Sequence, residues 1–276
     1  MTHRRKRGSV TVVWLILLLA ICVTGFSAYN LREITRIYEE GDRSYEQLRE
    51  QILRPDREST SGGAAADTQP EDALNRPETE VQAQADIPAL SVDFEALSEI
   101  NTDSAAWLYC PDTVIDYPVM RADDYDRYLH LLPDGTYNAN GSLFMDYNCP
   151  ADFSGRLSVI YGHNMKSGKM FGSLAKYKQQ SYFDEHPYMY LYTERENYRV
   201  ELIYGCVIGA NDWRKRAFMY EVNLEALLTY AAPKTTFDSA VKYTDEDRFL
   251  VLSTCSYEFD DARYIVIGVM IPEYGA

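Results

Sequence analysis

Between Gly8 and Leu31 the chain carries no charged residue, and from Val10 to Phe26 it reads VTVVWLILLLAICVTGF. As a helix rising ~1.5 Å per residue, such a stretch covers roughly 36 Å, enough to cross a hydrocarbon core of ~30 Å. Arg4, Arg5, Lys6 and Arg7 precede it, and no acid occurs before Glu33. A basic flank stays on the cytoplasmic side, so everything after residue 31 is expected outside. The apolar run is longer than the core of a secretory signal peptide, and no small-x-small cleavage pattern follows it. We therefore expect a cytoplasmic tail over 1–7 and an uncleaved transmembrane anchor over 8–31. Only the chain beyond it can build a water-soluble core.

That outer part opens with Leu31 to Leu53, where Leu31, Ile34, Ile37 and Tyr38, then Tyr45, Leu48 and Ile52 beyond Gly41, recur at helical spacing. This predicts a helical stalk over 32–54. Residues 55–90 are rich in Ala, Glu, Asp, Thr, Gln and Pro and have no aromatic. Such a composition cannot bury enough apolar surface to offset chain entropy, so a disordered linker is expected. A tether of about 35 residues would let an outer domain sample a shell several nanometres above the membrane. The folded unit is expected over 91–276.

Apart from the four basic residues at 4–7, the chain has 23 basic against 42 acidic residues, a net −19. A body this acidic argues against nucleic acid and anionic lipid as partners and is compatible with a partner that offers an amine. Cys22 lies in the apolar run. Cys110, Cys149, Cys206 and Cys255 form no CxxC pair or Cys/His cluster, which argues against zinc. A disulfide among Cys110, Cys149 and Cys206 stays open. There is no HExxH, P-loop or GxGxxG, so no metal or other cofactor is expected.

Beyond residue 91 the pattern is mainly β. A short amphipathic helix is read at Val92–Ile100. Strand-like runs are read at 106–109, 114–119, 142–145, 157–161, 188–192, 198–208, 249–252 and 264–271, punctuated by turn signals such as Asp134-Gly135 and Asn140-Gly141. Helical segments are read at 125–132, 169–177 and 180–183. Asn223 to Ala232 reads as a further helix before the last two strands, with Asn223 as its cap. Many short strands with a few inserted helices suggest a closed or nearly closed β-barrel.

The chemistry-bearing residues cluster at strand ends. Phe249-Leu250-Val251-Leu252 delivers Ser253-Thr254-Cys255-Ser256, an acidic turn follows, and Arg263 opens the run Tyr264-Ile265-Val266-Ile267. Antiparallel pairing of the two runs would place a thiol beside a guanidinium, where a reactive thiolate is expected. The bland alternatives are a strand-end thiol and an Arg263 ion pair with Asp260 or Asp261. Cys206, inside an apolar run, reads as structural. His163 ends the strand Leu157–Tyr161 and could serve the cysteine as base and acid, although taken alone it reads as a surface or packing histidine.

Tyr161-Gly162-His163-Asn164-Met165, Leu252-Ser253-Thr254-Cys255 and Ala262-Arg263-Tyr264, behind an anchor and a linker, resemble the sortases. Trp107, Ile115-Asp116-Tyr117-Pro118-Val119, Gly141-Ser142-Leu143-Phe144-Met145-Asp146 and the helix before the cysteine strand resemble class B in particular. The resemblance covers about residues 91–271. It implies an eight-stranded barrel with an N-terminal helix and a helix inserted before the cysteine strand. It also implies a cysteine transpeptidase that cleaves secreted surface proteins after the threonine of a C-terminal Asn-Pro-x-Thr-like motif. Transfer to a peptidoglycan amine would anchor them in the wall. Cys255 would be the nucleophile, His163 the acid and base, and Arg263 the oxyanion donor. Ser253 and His130 would contact the substrate, and Phe218, Met219 and Tyr220 could line its groove, with core packing as their bland alternative. A pilin lysine as the acceptor, or an inactive membrane-tethered binding module, are the alternatives.

Overall fold

The computed structural model describes residues 6–55, 90–216 and 223–273. One unbroken helix, α1 (Lys6–Ile52), opens the chain. From Val12 to Arg32 its side chains are exposed; further along, Gly41, Tyr45, Leu48 and Ile52 are buried. Their 4-3-4 spacing puts them on one face of the helix. That face lies on the barrel, so the helix expected over 32–54 is packed against the folded domain along residues 41–52. Tyr45 donates from its hydroxyl to the carbonyl of Gly141 at 2.6 Å. The side-chain amides of Asn138 and Asn140 donate to the helix carbonyls of Ile37 and Tyr38 at 2.8 and 3.3 Å. Gly41 permits this approach, because a Cβ there would lie 2.3 Å from Nδ2 of Asn140.

β1 (Leu53–Pro55) leaves the helix and pairs antiparallel with β2 (Leu90–Val92), Leu53 opposite Val92 and Pro55 opposite Leu90. The two ends of the expected linker therefore sit side by side. Residues 56–89 themselves lie outside the described residues, but the chain between the apolar segment and the barrel is helix.

α2 (Phe94–Ile100) follows, its first turn capped by Asp93, whose carboxylate accepts from the Ala96 amide at 3.0 Å. The strands are β3 (Ser104–Tyr109), β4 (Asp116–Met120), β5 (Leu143–Met145), β6 (Leu157–Tyr161), β7 (Tyr188–Tyr192), β8 (Asn197–Gly209), β9 (Arg248–Cys255) and β10 (Ala262–Glu273). They close in the order β10-β8-β7-β3-β4-β5-β6-β9, the eight-stranded barrel that was expected. A 3-10 segment (Phe171–Lys178) and α3 (Gln180–Glu185) connect β6 to β7. Between β8 and β9 lie α4 (Ala210–Arg216) and α5 (Leu224–Ala231). α4 was not anticipated. Asn223 makes no side-chain capping bond, contrary to expectation.

Alternation along β9 and β10 divides two cores. Leu250, Leu252, Tyr264 and Val266 point into the barrel. Phe249, Val251, Ile265 and Ile267 point outward, beneath Leu224, Leu227, Leu228 and Ala231 of α5. Burying each such side chain contributes roughly 1.5–3 kcal/mol. With both faces covered, β9 reads as a continuous apolar run until its end reaches the rim. All five cysteines are thiols, which closes the disulfide question for Cys110, Cys149 and Cys206.

Candidate active site

The site forms where three strand ends meet. β6 and β9 are parallel neighbours, with Tyr161 opposite Ser253, so both C-terminal ends reach the same rim. β10 runs antiparallel to β9 and starts at that rim, with Arg263 opposite Cys255. The sequence reading of a thiol paired with a guanidinium across two strands is thus what the register gives.

Hydrogen bonds tie the two parallel strand ends together. The Gly162 amide donates to the Ser253 carbonyl at 3.2 Å, and Oγ1 of Thr254 donates to the Gly162 carbonyl at 2.8 Å. Nδ2 of Asn164 donates to the carbonyl of Cys255 at 2.7 Å, fixing the backbone of the thiol-bearing residue. The sequence reading did not give Asn164 this role, although it is the neighbour of His163.

Nε2 of His163 lies 2.8 Å from the carbonyl of Leu129. A carbonyl only accepts, so Nε2 carries the proton, and Nδ1 is the ring nitrogen left to exchange one. Leu129 was not foreseen. Its carbonyl is set by the segment that turns back at Gly141, where φ is +57° and a Cβ would lie 2.5 Å from that same oxygen. Only glycine fits there.

His163, Ser253, Cys255 and Arg263 line one cavity of about 410 Å³, with Tyr125, Phe144, Tyr161 and Trp213 among its apolar walls. The Cys255 thiol is exposed. Burial pushes the thiols of Cys110 and Cys206 up to about 11, so neither competes as a nucleophile. Ser253 is 2% exposed, yet its hydroxyl has no hydrogen-bond partner. The Arg263 guanidinium donates to the Ala262 carbonyl at 3.0 Å and enters no ion pair among the described residues, so the expected alternative of Asp260 or Asp261 is not realised. His130 is exposed at the edge, its ring 6.3 Å from that of His163 and 5.9 Å from that of Tyr137. Phe218, Met219 and Tyr220 lie outside the described residues.

Asp146 supports one wall. Its carboxylate is buried and accepts from the hydroxyls of Tyr125 (3.0 Å) and Tyr161 (2.8 Å) and from the side chain of Asn148 (2.9 Å). Burial first, then the adjacent Asp146 charge, push both phenols well above their ordinary value, so they stay protonated donors. Across the rim, Lys178 pairs with Glu258 and donates to Ser256 at 3.2 Å. Burial raises the Glu258 carboxyl, but its bonds from Lys178 and Ser256 outweigh that and hold it below the usual carboxylate range.

A sortase-domain family model matches residues 108–271. The chain belongs to the sortase family. Its relatives place it in class B, the cysteine transpeptidases of the sortase B type. Sortase B of Listeria monocytogenes is 32% identical over 183 residues, covering 65% of this sortase and 74% of that one. The 2.0 Å crystal structure of Staphylococcus aureus sortase B matches with a TM-score of 0.60 and 25% identity, covering 66% of this chain and 87% of that one. The S. aureus enzyme has also been solved in a substrate complex, and a sortase B has been solved in complex with triglycine. A Streptococcus pyogenes class B sortase involved in pilus biogenesis matches at 0.59 and 30% identity, covering 65% of this chain and 98% of that one.

Proposed function

We propose that this sortase is anchored in the cell membrane through residues 8–31, with its N-terminus cytoplasmic and its barrel facing the wall. There it cleaves secreted surface proteins after the threonine of an Asn-Pro-x-Thr-like C-terminal motif and joins them to a peptidoglycan amine. The observation that carries this reading is the single cavity shared by Cys255, His163, Arg263 and the unpaired hydroxyl of buried Ser253. A buried hydroxyl without a partner is costly unless a ligand completes it, which supports Ser253 as a substrate contact. His130, at the rim, is proposed as a second one.

In the proposed reaction the Cys255 thiolate attacks the threonine carbonyl carbon, and the oxyanion takes hydrogen bonds from Arg263. The C–N bond breaks as the His163 imidazolium gives a proton to the leaving amine, which leaves a thioester on Cys255. The acceptor amine attacks that thioester, neutral His163 takes its proton, and the thiolate departs. Thiolate and imidazolium must coexist, so the rate is bell-shaped in pH. The triglycine complex of sortase B supports an amine acceptor, and the substrate complex of the S. aureus enzyme supports a sorting-signal donor. The S. pyogenes relative favours a second reading, with a pilin lysine as acceptor.

The test is to incubate the full chain in detergent with an Asn-Pro-x-Thr peptide and either triglycine or a lysine-bearing pilin. Mass spectrometry should find the threonyl–glycine product, and Cys255→Ala should form none. A product with the pilin alone would move the assignment to the second reading. No product with either acceptor and no cleavage would end both.

A further inference from the structure

The apolar, exposed stretch of α1 and the part seated on the barrel belong to one helix, and the segment joining them has no hinge. No glycine or proline occurs between Phe26 and Glu40, and sharp kinks need one of these or a bulge. Arg36 bridges Glu33 and Glu40 (to Glu40 at 2.9 Å), linking successive turns across this segment.

The height of the catalytic mouth can be read along this helix. Asn138 holds the Ile37 carbonyl with its side chain, and its backbone amide donates to the His130 carbonyl at 2.9 Å. The His130 ring neighbours that of His163. Lys169, on the loop after His163, pairs with Asp42 of the helix at 2.7 Å. The segments that flank the mouth on both sides of His163 thus contact the helix between Ile37 and Asp42. Leu31, the last residue of the uncharged run, is six residues below Ile37, roughly 9 Å at ~1.5 Å per residue. The headgroup layer on each side of a bilayer is about 5–8 Å thick. Tyr137, beside Asn138, is 75% exposed at this level, a residue type favoured at the membrane–water interface.

We infer that α1 is a rigid strut that holds the catalytic mouth roughly 9 Å above the hydrocarbon core, at the outer edge of the headgroup layer, and that a membrane-attached donor is cleaved efficiently only when its scissile bond sits at that height. The inference rests on the anchored-sortase reading above. It replaces a tether that samples several nanometres with a fixed distance, so that spacer length selects the substrate.

The test uses the full chain in phosphatidylcholine–phosphatidylglycerol vesicles, normalised by active Cys255. Seven residues of helix-forming sequence inserted between Arg32 and Glu33 lengthen the strut by roughly 10 Å and nearly preserve its rotational phase. The donor is one sorting-motif peptide, either free or fixed to lipid by a short or a ~10 Å longer spacer. With the free peptide, wild type and insertion variant should turn over within about twofold of each other. With the short-spacer lipid peptide, the insertion variant should lose tenfold or more, and the longer spacer should restore it. Equal rates on the short-spacer peptide would overturn the inference, as would an equal loss on the free peptide. Failure of the wild type to cleave the free peptide would instead overturn the proposed function.

Discussion

Cys255 and Arg263 are cross-strand partners in the β9–β10 pair, so the positions of thiol and guanidinium are set by backbone hydrogen bonding rather than by a loop. A site on rigid strands holds its geometry at little cost in ordering on substrate binding. Arg263→Lys keeps the charge but loses the planar fork. It should lower kcat/KM about 10²–10³-fold, the range for loss of one oxyanion donor. Cys255 should still react with a small thiol reagent. Steady-state kinetics with an alkylation control check this.

Asp146 touches neither Cys255 nor His163 among its hydrogen bonds, yet it holds the hydroxyls of two aromatic walls of the cavity. Asp146→Asn offers one acceptor oxygen in place of two. The variant should raise KM for the donor peptide several-fold and leave kcat within about twofold. Peptide binding to a Cys255→Ala background should weaken in parallel. A change in kcat alone would contradict this role.

The seated half of α1 is part of the fold. Ile52 and Leu48 pack with Leu97, Trp107, Tyr190 and Tyr192. Ile52→Ala should cost about 2–5 kcal/mol, a large share of a typical domain stability of ~5–15 kcal/mol. A soluble fragment beginning at residue 32 should melt cooperatively. One beginning at Ser91 should melt far lower or not fold. Thermal unfolding followed by circular dichroism distinguishes the two.

The Lys178–Glu258 pair yields a pH dependence. The Glu258 carboxyl titrates below its unfolded value, so its stabilisation is full above the unfolded glutamate pKa and is lost as pH falls through the folded one. Lys178→Met should therefore lower the melting temperature slightly at neutral pH. The difference should shrink as the solution is acidified below the ordinary glutamate range. The pair is partly exposed, so the effect is also expected to weaken with salt.

Local pattern was enough for much of this protein. The alternation along β9 and β10 made the barrel legible, and the Tyr161–Met165 and Leu252–Cys255 stretches, through their resemblance to the sortases, pointed to Cys255, His163, Arg263 and Ser253 as candidates, because each signal is encoded within a few neighbouring residues. Contacts between distant segments were not legible. Leu129 holds His163 through a backbone carbonyl, which has no side-chain signature. Asp146 gained its role only when Tyr125 and Tyr161 came to it from other parts of the chain. The seating of α1 depends on Asn138 and Asn140, about a hundred residues away, and turned an apparent stalk into a wall of the domain. Hydrophobic period and motif are properties of the chain alone; which surface a charged helix covers is settled only when the barrel closes against it.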